Sequence, residues 1–366
     1  MHIVIDARII NSSTGTYVRE LLNHLQLLDT KTRYTVLVPS KDVSYWRPTA
    51  SNFSIKAADF PSYSFREQFG FGSFLTKLKP DLVHFCMPQQ PIFYSGARVT
   101  TVHDMTLLNT YNSDKNWFVF HAKQLVGRWV WKQLPRLNQH IITVSKNTYR
   151  EFTDFVHIQP DKISVIYEAA HTVPVKKLMP YHALPYRDFI LYVGQQPDYK
   201  NIRRLGDAHQ QLLARHPDLG LVLVGRITEP VLRNKRYFES KGYQNIHFTD
   251  YLPDEQRDWL YTKTKAYVFP SLMEGFGLPP LEAMACGTPV ISSNTSCMPE
   301  ILGSAAEYFN PFDTTTMASA IERVITNPDL CKTMVKRGYE QAARYSWQNT
   351  AKQTLAVYKQ ALGKNW

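Results

Sequence analysis

The chain predicts an α/β protein made of two doubly wound domains, and three observations carry that expectation. Its 366 residues exceed the ~100–200 that a single core usually takes up. A strand running into a glycine-containing loop and then a helix opens the chain at Met1 and recurs at Phe189, the pattern with which doubly wound sheets approach phosphate. Between them, the stretch from His171-Thr-Val-Pro174 through Pro180 to Pro185-Tyr186 holds three prolines and no apolar period, so it reads as a linker. Residues 1–173 form the first expected domain, 174–188 the linker and 189–346 the second domain.

Met1-His-Ile-Val-Ile-Asp6-Ala-Arg8 is an apolar run ending in polar residues, which makes it a buried strand. The turn Asn11-Ser-Ser-Thr14-Gly15 leads to a helix over Tyr17–Leu25. Gly15 suits a phosphate-approach loop and a plain tight turn about equally well. Tyr34–Val38 and Asp81–Phe85 are the second and third strands, and Phe60–Phe69 between them has no regular period and reads as surface packing or, alternatively, as a mobile flap near the acceptor. The strand Val99–Val102 places His103, followed by Asp104, at its carboxyl end, where doubly wound sheets put their ligands. The other reading of a lone histidine is a core residue satisfied by the backbone. Asn116–Arg136 is helical, aromatic and basic. Its apolar stripe packs on the sheet with Lys123, Lys132 and Arg136 in solvent, or else it lies on a membrane surface or takes hold of a lipid-linked acceptor. Gln139–Ser145 and Ile163–Ile166 are further strands, with a helix from about Lys146 between them.

In the second half, Phe189–Val193 and Gly194 run into Gln195-Gln-Pro-Asp-Tyr199-Lys200-Asn201 and a helix that includes Leu205. Leu221–Val224 and Ile246–Phe248 are strands. The densest signal lies after the apolar run Ala266–Phe269 and before Val290-Ile291, as strand, glycine-rich loop, short helix, strand. Pro279 and Pro280 fit the opening of that helix, Gly287 its C-terminal cap, and Pro289 stops it. Backbone N–H groups around Gly277 and Leu278 then point out of a helix N-terminus, a ready site for phosphate. Glu274 in the loop and Glu282 in the first helical turn flank the same pocket. Carboxylates repel an anion, so these two turn to hydroxyl groups instead. Phosphate held between two sets of hydroxyls is the layout of a nucleotide sugar.

The segment Phe-Pro-Ser271-x-x-Glu274-Gly275-Phe276-Gly277-Leu278-Pro-x-Leu281-Glu282-Ala-Met-Ala-x-Gly287-x-Pro289-Val resembles family 4 of the retaining glycosyltransferases, including its mannosyltransferase-like members. The resemblance covers nearly the whole chain, strongest over 266–312 and weakest over 40–80 and 171–188. It implies the GT-B fold, two doubly wound Rossmann-like domains facing each other across a cleft, with a helix at 347–366 crossing back to the first domain. By position, Glu274 would hold hydroxyls of the donor sugar, Glu282 the nucleotide ribose, and Lys200 the donor phosphates, where a point charge neutralises them. His103 would contact the donor sugar near the reacting carbon, forming with Glu274 the catalytic pair. The loop at Gly15 would line the donor, Tyr251 belongs to the segment whose backbone meets the base, and Phe276, Gly277 and Leu278 complete the nucleotide-sugar site.

The activity implied is transfer of a hexose from a nucleotide diphosphate sugar to a hydroxyl of a glycan or lipid-linked glycan, with retention at the anomeric carbon. No carboxylate pair at glycosidase-like separation is evident, so the departing phosphate is expected to take the acceptor proton. No Asp-x-Asp signature is present; neither a metal nor another cofactor is expected. The chain departs from the family where many members have an arginine, directly after the strand glycine or just before the lysine; it has Gln195 and Tyr199. Arg203, Arg204 and Arg226 are the candidates to replace it, a surface role being the default reading of each.

A net charge of +11 is unevenly placed, with 21 basic against 13 acidic residues over 1–180 and 21 against 18 over 181–366. A basic first domain suits an anionic inner-membrane surface or phosphate-bearing substrates, whereas nucleic acid is set aside because no basic run or recognition motif is present. The chain opens directly on a strand and no uncharged stretch reaches ~18 residues, so a cytoplasmic protein, peripheral at the inner membrane face, is expected. Cys86, Cys286, Cys297 and Cys331 show no metal-ligand or redox spacing. Two rivals stand beside the enzyme: a GT-B shell that binds a nucleotide sugar without turnover, and a nicotinamide-dependent oxidoreductase. The second lacks Gly-x-Gly-x-x-Gly after either opening strand.

Overall fold

A computed structural model describes residues 1–62, 64–109 and 117–363, without the side chains of 107, 109 and 117–123. The chain divides into two compact units, one of Met1–Glu168 with the segment from Ser346 onward, the other Ala169–Tyr345.

In the first unit, β1 (His2–Asp6), β2 (Arg33–Val38), β3 (Phe53–Ala57), β4 (Leu82–Phe85), β5 (Arg98–Val102), β6 (His140–Thr143) and β7 (Ile163–Val165) form a wholly parallel sheet ordered β3-β2-β1-β4-β5-β6-β7. Residues of β1, β4, β5 and β6 are buried throughout, because helices cover both faces of such a sheet. Apolar residues line each of them, and the polar positions among them, such as Thr100, Thr101 and His84, are buried as well. The strand order reverses between β1 and β4, so the loops following those strands frame the switch point at which doubly wound sheets take ligands.

The second unit repeats the plan with β8 (Phe189–Val193), β9 (Gly220–Val224), β10 (Ile246–Phe248), β11 (Ala266–Phe269), β12 (Val290–Ser293) and β13 (Ala306–Phe309). Its order is β10-β9-β8-β11-β12-β13, all parallel. Its switch point lies between β8 and β11. The loop after β8 carries Lys200 and the loop after β11 carries Glu274. The proline-rich stretch packs on this unit, with the Val173 N–H donating to Asp258 Oδ2 at 2.7 Å and the Met179 N–H to the Glu255 carbonyl at 3.2 Å.

Two strands have no signal in the sequence. β3 and β13 are edge strands in which only Phe53 and Phe309, respectively, are buried, so neither shows an apolar run; Asp81–Phe85 is consequently the fourth strand, not the third. The segment read as irregular surface is partly helical over Arg66–Leu78. Phe60 stacks on Phe71 at 5.0 Å, while Phe65 and Phe69 are exposed. Helix Trp117–Leu137 buries Val130, Trp131 and Leu134 and leaves Leu125, Val126 and Trp129 exposed, so it packs on one stripe and presents another. Asn116 and the side chain of Lys123 lie outside the described residues.

The closing helix Trp347–Ala361 is capped by Ser346, whose Oγ accepts from the Asn349 N–H. It belongs to the first unit, where Thr350 donates to the Tyr167 carbonyl at 2.7 Å and Tyr358 Oη meets His84 Nδ1 at 2.6 Å. Among the described residues, no helix is long and apolar enough to cross a membrane.

Candidate active site

At the switch point of the second unit the loops after β8 and β11 are stitched together. Asn201, in the left-handed conformation at φ 60°, sends its amide to the carbonyls of Pro270 at 3.2 Å and Pro311 at 2.7 Å. Asparagine is one of the few side chains that tolerates this backbone region. The Leu272 N–H donates to the Tyr199 carbonyl at 2.8 Å. Ser296 both accepts from the Glu274 N–H at 3.1 Å and donates to the Glu274 carbonyl at 2.8 Å. These links bring Lys200 Nζ to 2.5 Å from Glu274 Oε1, with the ammonium also over the rings of Tyr199 and Phe269 at 5.3 and 5.4 Å. Burial alone would lower the affinity of Lys200 for its proton, but the Glu274 carboxylate outweighs it and the shift is upward. The expected phosphate ligand and the expected sugar ligand are therefore partners of each other here.

Helix Leu278–Ala285 follows, with Gly277 as its N-cap at φ 85° and no side-chain cap. Of the four N-terminal backbone positions that a helix leaves unpaired, Pro279 and Pro280 have no hydrogen to donate. Gly277 and Leu278 supply the donors. Gly287 closes the helix in the left-handed conformation at φ 78°, as a C-terminal cap requires. Because the helix begins at Leu278, Glu282 stands in its second turn, a correction to the first-turn placement. Phe276 is buried and meets Tyr345 edge-on at 5.5 Å, which leaves its backbone as the part able to face a ligand.

Glu282 is buried, and its carboxyl is pushed up by that burial against the opposing pull of Arg257. Arg257 Nε stands 4.0 Å from Glu282 Oε2, and the same guanidinium bonds Asp254 at 2.8 Å and Asp258 at 2.6 Å. One cation serves three carboxylates. Tyr251, after β10, is exposed beneath the Arg226 guanidinium, 5.0 Å from the ring centroid. The candidates for the missing arginine each have partners of their own: Arg203 on Asn234 and Tyr237, Arg204 on Asn201 and Phe312, Arg226 on Tyr251.

In the first unit, Gly15 opens helix Gly15–Leu28. A Cβ there would lie 2.0 Å from the Ile10 carbonyl oxygen, so the turn itself demands glycine. His103, just past β5, is buried between two partners that sequence reasoning did not name. Its Nδ1 is 3.0 Å from Glu168 Oε1 and its Nε2 3.0 Å from the Cys86 carbonyl. Tyr17 meets the ring edge-on at 4.6 Å. No local signal marks Glu168 or Ser296 as a neighbour; strand order alone brings them in.

The fold is a pair of Rossmann-like units, and at the switch point of the second Lys200 pairs with Glu274 three residues before the uncapped N-terminus of helix Leu278–Ala285. The family described as Glycosyltransferase Family 4 matches residues 14–172 and that described as Glycosyl transferases group 1 matches 182–341. O-antigen chain mannosyltransferase B of Escherichia coli is 30% identical over 294 residues, covering 74% of this chain and 73% of the relative. Serotype-specific mannosyltransferase WbdA of Escherichia coli is 31% identical over 272 residues, 69% of this chain but 32% of that longer protein. Sucrose-phosphate synthase from Thermosynechococcus elongatus shares the fold, with TM-score 0.75 at 18% identity over 99% of both chains. The chain belongs to glycosyltransferase family 4, with the GT-B fold, and is a glycosyltransferase.

Proposed function

We propose that this enzyme transfers a hexose, mannose by likeness to the O-antigen relatives, from a nucleotide diphosphate donor to a hydroxyl of a growing glycan or lipid-linked glycan. The observation that carries the reading is the Lys200–Glu274 pair at the switch point beside the Gly277–Leu278 N–H groups. A diphosphate carries charge suited to the lysine and the N–H groups, and sugar hydroxyls suit the carboxylate. Glu282 takes the ribose and the segment at Tyr251 the base. In the first unit, His103 serves the sugar end of the donor and the loop at Gly15 lines it.

The transfer proceeds with retention and without a metal. The bond from the anomeric carbon to the diphosphate oxygen breaks, the acceptor oxygen bonds to that carbon on the same face, and the acceptor proton passes to the departing oxygen. Lys200 and the helix N-terminus stabilise the charge that develops on it. The enzyme works at the cytoplasmic face of a membrane, where the exposed Leu125, Val126 and Trp129 beside Arg128 and Lys132 favour peripheral contact.

Carbon–proton NMR of the product formed in the presence of EDTA tests the reaction: a one-bond C1–H1 coupling that reports the donor's anomeric configuration is expected. Inversion, or activity abolished by EDTA and restored by a divalent cation, would overturn the mechanism. Donor binding with neither transfer nor hydrolysis across glycan acceptors would favour the non-catalytic alternative.

A further inference from the structure

His103 and Glu168 sit one and three residues past the ends of β5 and β7, 9% and 4% exposed. Both nitrogens of the imidazole face acceptors, Glu168 Oε1 and the Cys86 carbonyl, each at 3.0 Å. A carbonyl oxygen only accepts, so Nε2 carries a hydrogen. A neutral ring would then turn the lone pair of Nδ1 onto a carboxylate oxygen, a repulsive contact. The arrangement closes only with a second proton between Nδ1 and Oε1.

The described groups that pack around the ring bring it no other charge. Tyr17 packs on it from helix Gly15–Leu28, and its hydroxyl, driven upward by burial, bonds Thr101 at 2.9 Å. His84 on β4 is pushed down to about 3 by burial and has both nitrogens in hydrogen bonds, to Tyr358 and Thr101. The Cys86 thiol is pushed up by burial. Asp104, next along the chain, turns to the Thr106 N–H at 2.8 Å. Thr148 anchors the His103 carbonyl at 3.0 Å. Of these groups, Glu168 alone brings a negative charge into contact with the imidazole.

We propose that Glu168 is a positioning residue that holds His103 as a doubly protonated imidazolium, so that His103 acts in transfer as a fixed charge and not as a base. The role in transfer rests on the reading of His103 as part of the sugar site. With the imidazole already protonated and both its nitrogens engaged, the acceptor proton has no side-chain destination there, which leaves the departing diphosphate to take it.

The 366-residue chain with 15N-labelled histidine tests this at pH 7, the His103 signals being assigned by their loss in His103→Asn. Both nitrogens of the wild type should show protonated shifts. In Glu168→Gln the amide can donate to Nδ1, so the ring stays in place but becomes neutral, with one protonated and one bare nitrogen. In the same variant kcat should fall about tenfold or more with the donor KM little changed, and Glu168→Asp should recover part of the loss. A neutral His103 in the wild type overturns the proposal whatever the enzyme transfers. Unchanged kcat in Glu168→Gln, or loss confined to KM, overturns the role in transfer. An imidazolium in a chain with no transfer activity leaves the pairing intact and overturns the functional reading.

Discussion

Lys200 and Glu274, 74 residues apart, form an ion pair of 2.5 Å between side chains 15% and 12% exposed. Removing one partner strands the other charge in a poorly hydrated site, which costs about 3–5 kcal/mol for a buried pair. Lys200→Met and Glu274→Gln should each lower the urea midpoint, and the double variant should lose less stability than the two single losses added together. Strict additivity in equilibrium unfolding would mean that the pair is not coupled.

Donor binding has to compete with that pair. In a thermal-shift panel of UDP, GDP, dTDP and ADP sugars, one nucleotide series should raise the melting temperature, by the equivalent of about 2.7 kcal/mol at a hundredfold excess over Kd. The shift should vanish in Glu274→Ala and Glu282→Ala. A shift surviving in both variants would place the donor elsewhere.

Gly15→Ala should destabilise the first unit. Its Cβ would lie 2.0 Å from the Ile10 carbonyl oxygen, and backbone cannot move aside as a side chain can. A loss of about 1–3 kcal/mol in denaturant unfolding is expected, as for an overpacked site. A neutral substitution would show that the Ile9–Gly15 turn is looser than its geometry.

Acid should destabilise the protein through His84. In the folded chain burial pushes this imidazole down from 6.5 to about 3, so the unfolded chain binds the proton more readily throughout that interval. Stability is therefore fully present above pH 6.5 and lost as pH falls toward 3, at up to about 1.4 kcal/mol per pH unit. His84→Gln should show a shallower dependence over this window. Parallel curves for variant and wild type would exclude His84 as the source.

Much of the fold can be read from residue order because parallel strands covered on both faces are apolar along most of their length, and in β8 and β11 at every position. Edge strands β3 and β13 escape that reading, since each has one buried residue and no period. The glycine-rich segment was legible for a different reason. Gly277 and Gly287 occupy left-handed positions, and Pro279 and Pro280 suit only a helix opening, so local backbone chemistry specifies the loop and helix without help from the rest of the chain.

The sequence by itself thus determined the family and the two strand-loop-helix plans, because each rests on neighbours within a few positions. Tertiary structure decided the pairings. Lys200 meets Glu274 because β8 and β11 are adjacent across the switch point of the second sheet, and Glu168 reaches His103 across 65 residues because the carboxyl ends of β5, β6 and β7 share one edge of the first sheet. Hydrogen bonds and ion pairs depend on distances of a few ångströms, and at such separations only the order of strands sets them.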